Sequence, residues 1–213
     1  MISIEATRSG HSVLRKNGRL LGSSIDPMRE AVQWTEKVSA KNQVVVLGLG
    51  TGYHVVELMK RPGAKVLTIE ADPEVVEKAL CLNPTLSRHD IVVEPNWQYL
   101  VHSARFRDAL QGIFEIAPHG PSVQIEPDYF SNVERLLLGR DKISFLLQLK
   151  LRPELLALLD ADAIALLAEQ ESGELLSAKN EAISVKTVKK LFSNRADHSV
   201  ERRLWRVLEE LVL

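Results

Sequence analysis

The chain is short of several things. Cys81 is the one cysteine among 213 residues, so no internal disulfide can form, and that usage fits a reducing compartment. Neither sign of charge dominates: 27 Lys and Arg face 28 Asp and Glu, a formal net charge of −1. Such a balance gives no general reason to expect nucleic acid or an anionic membrane as partner. No run approaches about 20 apolar residues, and residues 1–25 lack the unbroken apolar stretch of a signal peptide. A cytoplasmic protein with no membrane span and a small-molecule partner is expected, with self-association left open.

Familiar chemical signatures are missing as well. The six histidines (His11, His54, His89, His102, His119, His198) pair with no Cys, Asp or Glu at ligand spacing, so no metal is expected. There is no G-x-x-x-x-G-K-[ST] P-loop and no G-x-S-x-G elbow. Cys81 has no evident partner for nucleophilic work.

What is present centres on Val44-Val45-Val46-Leu47-Gly48-Leu49-Gly50-Thr51-Gly52-Tyr53-His54. A β-branched run feeds a glycine-rich turn, and a helical pattern follows. Eighteen residues after Gly52, the run Lys65-Val66-Leu67-Thr68-Ile69 ends on Glu70-Ala71-Asp72-Pro73. A buried strand, a tight turn, a helix start and an acid at the tip of the next strand have the layout of a nucleotide site. Glu70 is placed to accept from ribose hydroxyls, with Gly48, Leu49, Gly50, Thr51, Gly52, Tyr53 and Ala71 around it. The alternative is that the glycines only turn the chain over an empty cleft. Tyr53 stands where a dinucleotide fingerprint needs its third glycine, which disfavours an NAD-type crossover.

Around this stretch, strands and helices alternate. Strands are expected at 44–47, 65–69, 90–93 and 112–116, with helices at 51–60, from Pro73, over 97–110 and from Pro127. That rhythm implies a parallel sheet with right-handed crossovers. Upstream, Asn17-Gly18 offers the two positive-φ positions of a type I′ hairpin. Asp26-Pro27 reads as an N-cap and first helical residue, with Met28, Ala31, Val32 and Val38 facing inward. Past Arg140 the pattern turns leucine-rich and helical. The expected organisation is an N-terminal β-hairpin and lead-in helix (1–42), a Rossmann-like α/β domain (43–140) and a helical C-terminal subdomain (141–213).

Further candidates flank the turn. In Glu94-Pro95-Asn96-Trp97, Asn96 can bond a purine edge and Trp97 can stack on it; equally, Asn96 can be a helix cap and Trp97 core. Asp72 suits the N-cap of the next helix. His54 and His119 belong to the carboxyl rim of the sheet, where a neutral imidazole can bind substrate or act as base, or simply be structural. In the tail, eight basic residues between 179 and 206 outnumber three acids. That cluster suits either a solvated helical face or, less readily, a phosphate-binding helix.

Two resemblances follow. The glycine turn and Leu67-Thr68-Ile69-Glu70-Ala71-Asp72-Pro73-Glu74-Val75-Val76 resemble the motifs of class I S-adenosylmethionine (SAM) methyltransferases and spermidine-synthase-like enzymes. This implies a SAM-type cofactor with Glu70 on its ribose. Gly22-Ser23-Ser24-Ile25-Asp26-Pro27-Met28-Arg29-Glu30-Ala31, followed by a glycine turn and Tyr53-His54, resembles the N-terminal Rossmann-like region of Maf (motility accessory factor) flagellin-glycosylation proteins. That implies a nucleotide or nucleotide-sugar module, and the glycosyltransferase domain that follows in those proteins is not expected here. Two departures weaken a catalytic reading. Val46 stands where many methyltransferases carry an acid, and Ala117-Pro118-His119-Gly120-Pro121 carries no carboxylate after the fourth strand.

Overall fold

A computed structural model describes residues 2–39, 43–110 and 114–138. The chain forms two compact units, Met1–Val133 and Glu134–Leu213. The expected helical subdomain at 141–213 and its basic cluster lie outside the described residues.

The first unit opens with a three-stranded antiparallel sheet, β1 (Ile2–Ala6), β2 (Ser12–Lys16) and β3 (Arg19–Leu20). Asn17 and Gly18 take φ of 50° and 79°, the two left-handed positions of a type I′ turn, and they set β2 against β3. Helix α1 (Pro27–Glu36) starts as its sequence dictates: the Asp26 carboxylate accepts from Arg29 N, and Pro27 opens the first turn. Ala31 and Val38 are buried. Val32, expected inside, is 41% exposed, because the buried stripe of this helix passes through Pro27, Ala31 and Thr35. Those positions lie four apart on one face.

The second sheet is parallel and contains β4 (Gln43–Leu47), β5 (Lys65–Glu70), β6 (Ile91–Val93) and β7 (Phe114–Pro118) in the order β6-β5-β4-β7. Helices α2 (Tyr53–Met59), α3 (Pro73–Leu82) and α4 (Ala104–Leu110) connect the strands. This is a Rossmann-like α/β arrangement. The expected single helix over 97–110 is instead a 3₁₀ segment, Trp97–His102, followed by α4; the chain is extended at Ser103, which has ψ of 121°. Past β7 come α5 (Gly120–Ile125) and α6 (Pro127–Leu138), so a short helix precedes the one expected from Pro127.

One apolar cluster joins the two sheets. Val44 and Val46 of β4 meet Val55 and Leu58 of α2, Val75, Val76 and Ala79 of α3, and Ile2, Leu14 and Leu21 from the N-terminal sheet. A buried hydroxyl fixes the junction. Leu21 N donates to Leu14 O at 2.7 Å, but the complementary bond between Leu14 N and Leu21 O is bridged by a third residue. Leu14 N donates to Thr51 Oγ1 at 3.0 Å, and Thr51 Oγ1 donates to Leu21 O at 3.1 Å. Asn83 Nδ2, at the end of α3, donates to Thr51 O at 2.6 Å. One residue of the glycine turn therefore ties down the hairpin and α3.

Replacing Thr51 by Val keeps its shape and leaves a buried donor and a buried acceptor without a partner. Thr51→Val is expected to lower the unfolding free energy by roughly 2–4 kcal/mol, from ~1–3 kcal/mol per orphaned group. Thr51→Ser should recover most of that loss; urea denaturation of the two variants is the check.

Candidate functional site

The turn after β4 is built from three residues with left-handed backbone: Gly48, Gly50 and Gly52 have φ of 91°, 51° and 92°. Each also lies under another residue of the same chain. A Cβ on Gly48 would meet Ser122 Oγ at 2.8 Å, one on Gly50 would meet His119 Cε1 at 2.6 Å, and one on Gly52 would meet Leu86 Cδ1 at 2.6 Å. Backbone geometry and internal packing together account for all three glycines, with no ligand needed to explain them. Residues 48–52 are all buried.

Glu70 occupies the expected place at the tip of β5, 3% exposed. Its Oε2 accepts from Leu49 N at 2.8 Å, and its Oε1 accepts from Ala71 N at 2.9 Å and Asp72 N at 3.2 Å. Burial pushes its carboxyl up to about 7, against the bonds from Leu49 and Asp72 that favour the charged form. The acid thus braces the turn from the neighbouring strand. Oε2 accepts one bond and keeps a second lone pair.

His54 and His119 do come together, as a buried stack with ring centroids 4.0 Å apart and planes within 5°. The Trp34 ring meets His54 edge-on at 4.8 Å, and Trp34 Nε1 donates to Pro118 O at 3.1 Å. His54 Nε2 lies 3.2 Å from Gly48 O. A carbonyl only accepts, so the neutral ring carries its proton on Nε2 and leaves Nδ1 as an acceptor. His119 Nδ1 lies 2.8 Å from Ser122 Oγ. Burial drives both imidazoles toward the neutral form: His54 falls to about 4, and His119 lies well below the usual histidine range, with His54 adding to the effect. Beside them a cleft of about 40 Å³ is lined by Glu30, Trp34, Tyr53, His54, His119 and residues around them. That volume holds about three waters, far less than a nucleoside needs.

The remaining candidates sit apart from this stack. Asn96 accepts from Gln98 N at 3.1 Å, capping the 3₁₀ segment that Trp97 begins. Asp72 caps α3 by accepting from Glu74 N at 2.8 Å. It also pairs with Lys16 Nζ at 2.7 Å, and Glu126 holds the same ammonium at 2.6 Å. Burial opposes the charge on Lys16, but Asp72 and Glu126 outweigh it and hold the group above the ordinary lysine value. Tyr129 OH donates to Glu94 O at 2.7 Å. Burial, then the carboxylates of Glu70, Glu94 and Glu126, raise its phenol. Sequence reasoning missed Lys16, Glu126 and Tyr129 at this edge. One signal was available for Lys16: it follows Leu14 at the strand period of two, so it shares a buried face and needs a carboxylate. Among the described residues no group of three or more His, Cys, Asp or Glu could hold a metal, and no helix is long and apolar enough to cross a membrane.

Compared with protein-family models, curated proteins and solved structures, the chain gives no match.

The internal ligands of this edge set two tests. Gly48→Ala combines a left-handed backbone, which costs about 1–2 kcal/mol, with a clash worth about 1–3 kcal/mol. Gly63, with φ of 77° and open space around it, carries only the first. Thermal unfolding should therefore show Gly48→Ala well below Gly63→Ala; equal losses would mean that Ser122 yields freely. The second test is pH. His54 and His119 are neutral when folded, so their contribution is complete above the unfolded value of 6.5 and is lost as pH falls toward 4. Glu70 acts oppositely: its folded value near 7 exceeds 4.5, so its contribution is present below 4.5 and lost as pH rises to 7. Unfolding free energy should rise from pH 4.5 to 6.5 in the native chain. In Glu70→Gln the rise should be steeper, by about 3 kcal/mol over the whole window.

Proposed function

We propose that the chain binds an adenosine-type nucleoside of the SAM kind at the carboxyl edge of its parallel sheet, as a methyltransferase-like module. The observation that carries this reading is Glu70. It stands at the tip of the strand beside the glycine turn, anchored to Leu49 N, with acceptor capacity left for a ribose hydroxyl. Open α/β sheets bind ligands outside the carboxyl ends of their strands, and charge-assisted bonds to a ribose would contribute about 1.5–3 kcal/mol each. Methyl transfer from a sulfonium depends on in-line placement more than on a strong base. The segment after β7 accordingly needs no carboxylate for that chemistry. His54, a neutral imidazole that lines the adjoining cleft, suits an incoming hydroxyl or amine.

A second reading is favoured by one contact set. The segment that resembles Maf proteins lies beside the turn: it is closed on itself by Ser23 N donating to Glu30 Oε2 at 2.6 Å, and Gly22, Pro27, Glu30 and Ala31 line the same cleft as Tyr53 and His54. One composite site from these two motifs supports a nucleotide or nucleotide-sugar module serving glycosylation.

Calorimetry with SAM and S-adenosylhomocysteine separates the two. The first reading expects saturable heat that weakens at least tenfold in Glu70→Gln. No heat from either ligand at millimolar concentration removes it. Stabilisation of the fold by a sugar nucleotide in preference to SAM moves the assignment to the second.

A further inference from the structure

Residues 119–129 cross the carboxyl ends of all four parallel strands. His119 follows β7, and its backbone N donates to Leu47 O at 2.9 Å. Ser122 lies on Gly48 at the tip of β4. Glu126 reaches Lys16, which also holds Asp72 just past β5. Tyr129 reaches Glu94 O just past β6. Everything beneath is buried: residues 48–52, Glu70 and Ala71. The edge where an open sheet would receive its ligand is thus covered by the chain itself.

The cover is jointed, and it is held by packing as well as by polar bonds: Ser122 is buried and Ile125 packs on the apolar cluster. Glu126 has φ of −129° and ψ of 61°, a non-helical joint between α5 and α6. At the other end Gly120 is uncrowded, with nothing within 4 Å of a Cβ placed on it. The polar fasteners of residues 120–129 include Ser122 Oγ with His119 Nδ1 at 2.8 Å, Lys16 Nζ to Glu126, Tyr129 OH to Glu94 O, and Arg19 Nη1 to Gln124 O at 3.3 Å.

We propose that residues 120–129 form an autoinhibitory strap, latched by Lys16 and Tyr129, which swings aside to admit the nucleoside to the glycine turn and Glu70. The identity of the admitted ligand rests on the nucleoside reading above; the strap itself does not. Opening would leave Lys16 paired with Asp72 and remove Glu126, a carboxylate that disfavours charge on Glu70. Glu70 would then be a better acceptor with the strap open than with it closed.

The test weakens the latch without touching the site. Glu126→Gln takes the charge from one fastener and Tyr129→Phe removes another, both at near-constant volume, and Tyr129→Phe alone serves if the double variant folds poorly. Amide hydrogen exchange is read at Leu49, under the strap, and at Val45, inside β4. The double variant should speed exchange at Leu49 about tenfold relative to Val45, the effect of one ordinary hydrogen bond lost and one ion pair weakened. SAM, used as the probe, should bind tighter by a similar factor. Equal acceleration at both amides, or none at Leu49, overturns the strap. Faster Leu49 exchange with no SAM binding to either protein keeps the strap and discards the nucleoside reading. Equal SAM binding to both proteins with unchanged Leu49 exchange keeps the nucleoside reading and discards the strap.

Discussion

The arrangement depends on how little room there is around the turn at 48–52. Its backbone is left-handed at three positions, so glycine is required there on conformational grounds alone. The space released is then taken by His119, Ser122 and Leu86, while the Thr51 hydroxyl knits the N-terminal hairpin into the same knot. Two sheets and the elements that follow both meet on five residues. A protein interior is close-packed, so a change at any of these contacts is felt across the junction.

Electrostatics follow from that closeness. The edge of the sheet holds Glu70, Asp72 and Glu126 near one buried ammonium, that of Lys16. Desolvation keeps the two histidines uncharged and presses Glu70 toward its protonated form. In an edge open to water these groups would titrate near their ordinary values. Their shifts follow from the exclusion of solvent from the candidate site by the chain itself.

Local rules made much of the frame legible in the sequence. Asn17-Gly18, Asp26-Pro27 and Asp72-Pro73 each carry their geometry in two residues, and the β-branched run at 44–47 could only be a buried strand in such a setting. The position of Glu70 was readable because it depends on the register of adjacent parallel strands. Less was readable where the deciding contacts are distant. Val32 fits a helical period but faces away from the stripe that is buried. His54 and His119 are 65 positions apart, and their stack exists only because β7 lies beside β4. The pairing of Lys16 with Glu126 spans 110 positions, a distance over which a single sequence carries no local signal.

Lys16 also links two matters usually treated separately, strand register and charge. Arg15 points outward and pairs with Glu5, whereas Lys16 points inward to Asp72 and Glu126. Strand side chains alternate, so a one-residue slip of β2 would exchange these roles. It would bring an arginine or an asparagine to the edge of the parallel sheet and expose the lysine. The tight turn at Asn17-Gly18, remote from the glycine turn in sequence, thus selects which cation neutralises the sheet edge. A hairpin that looks like decoration on a Rossmann-like domain is the part that tunes its polarity.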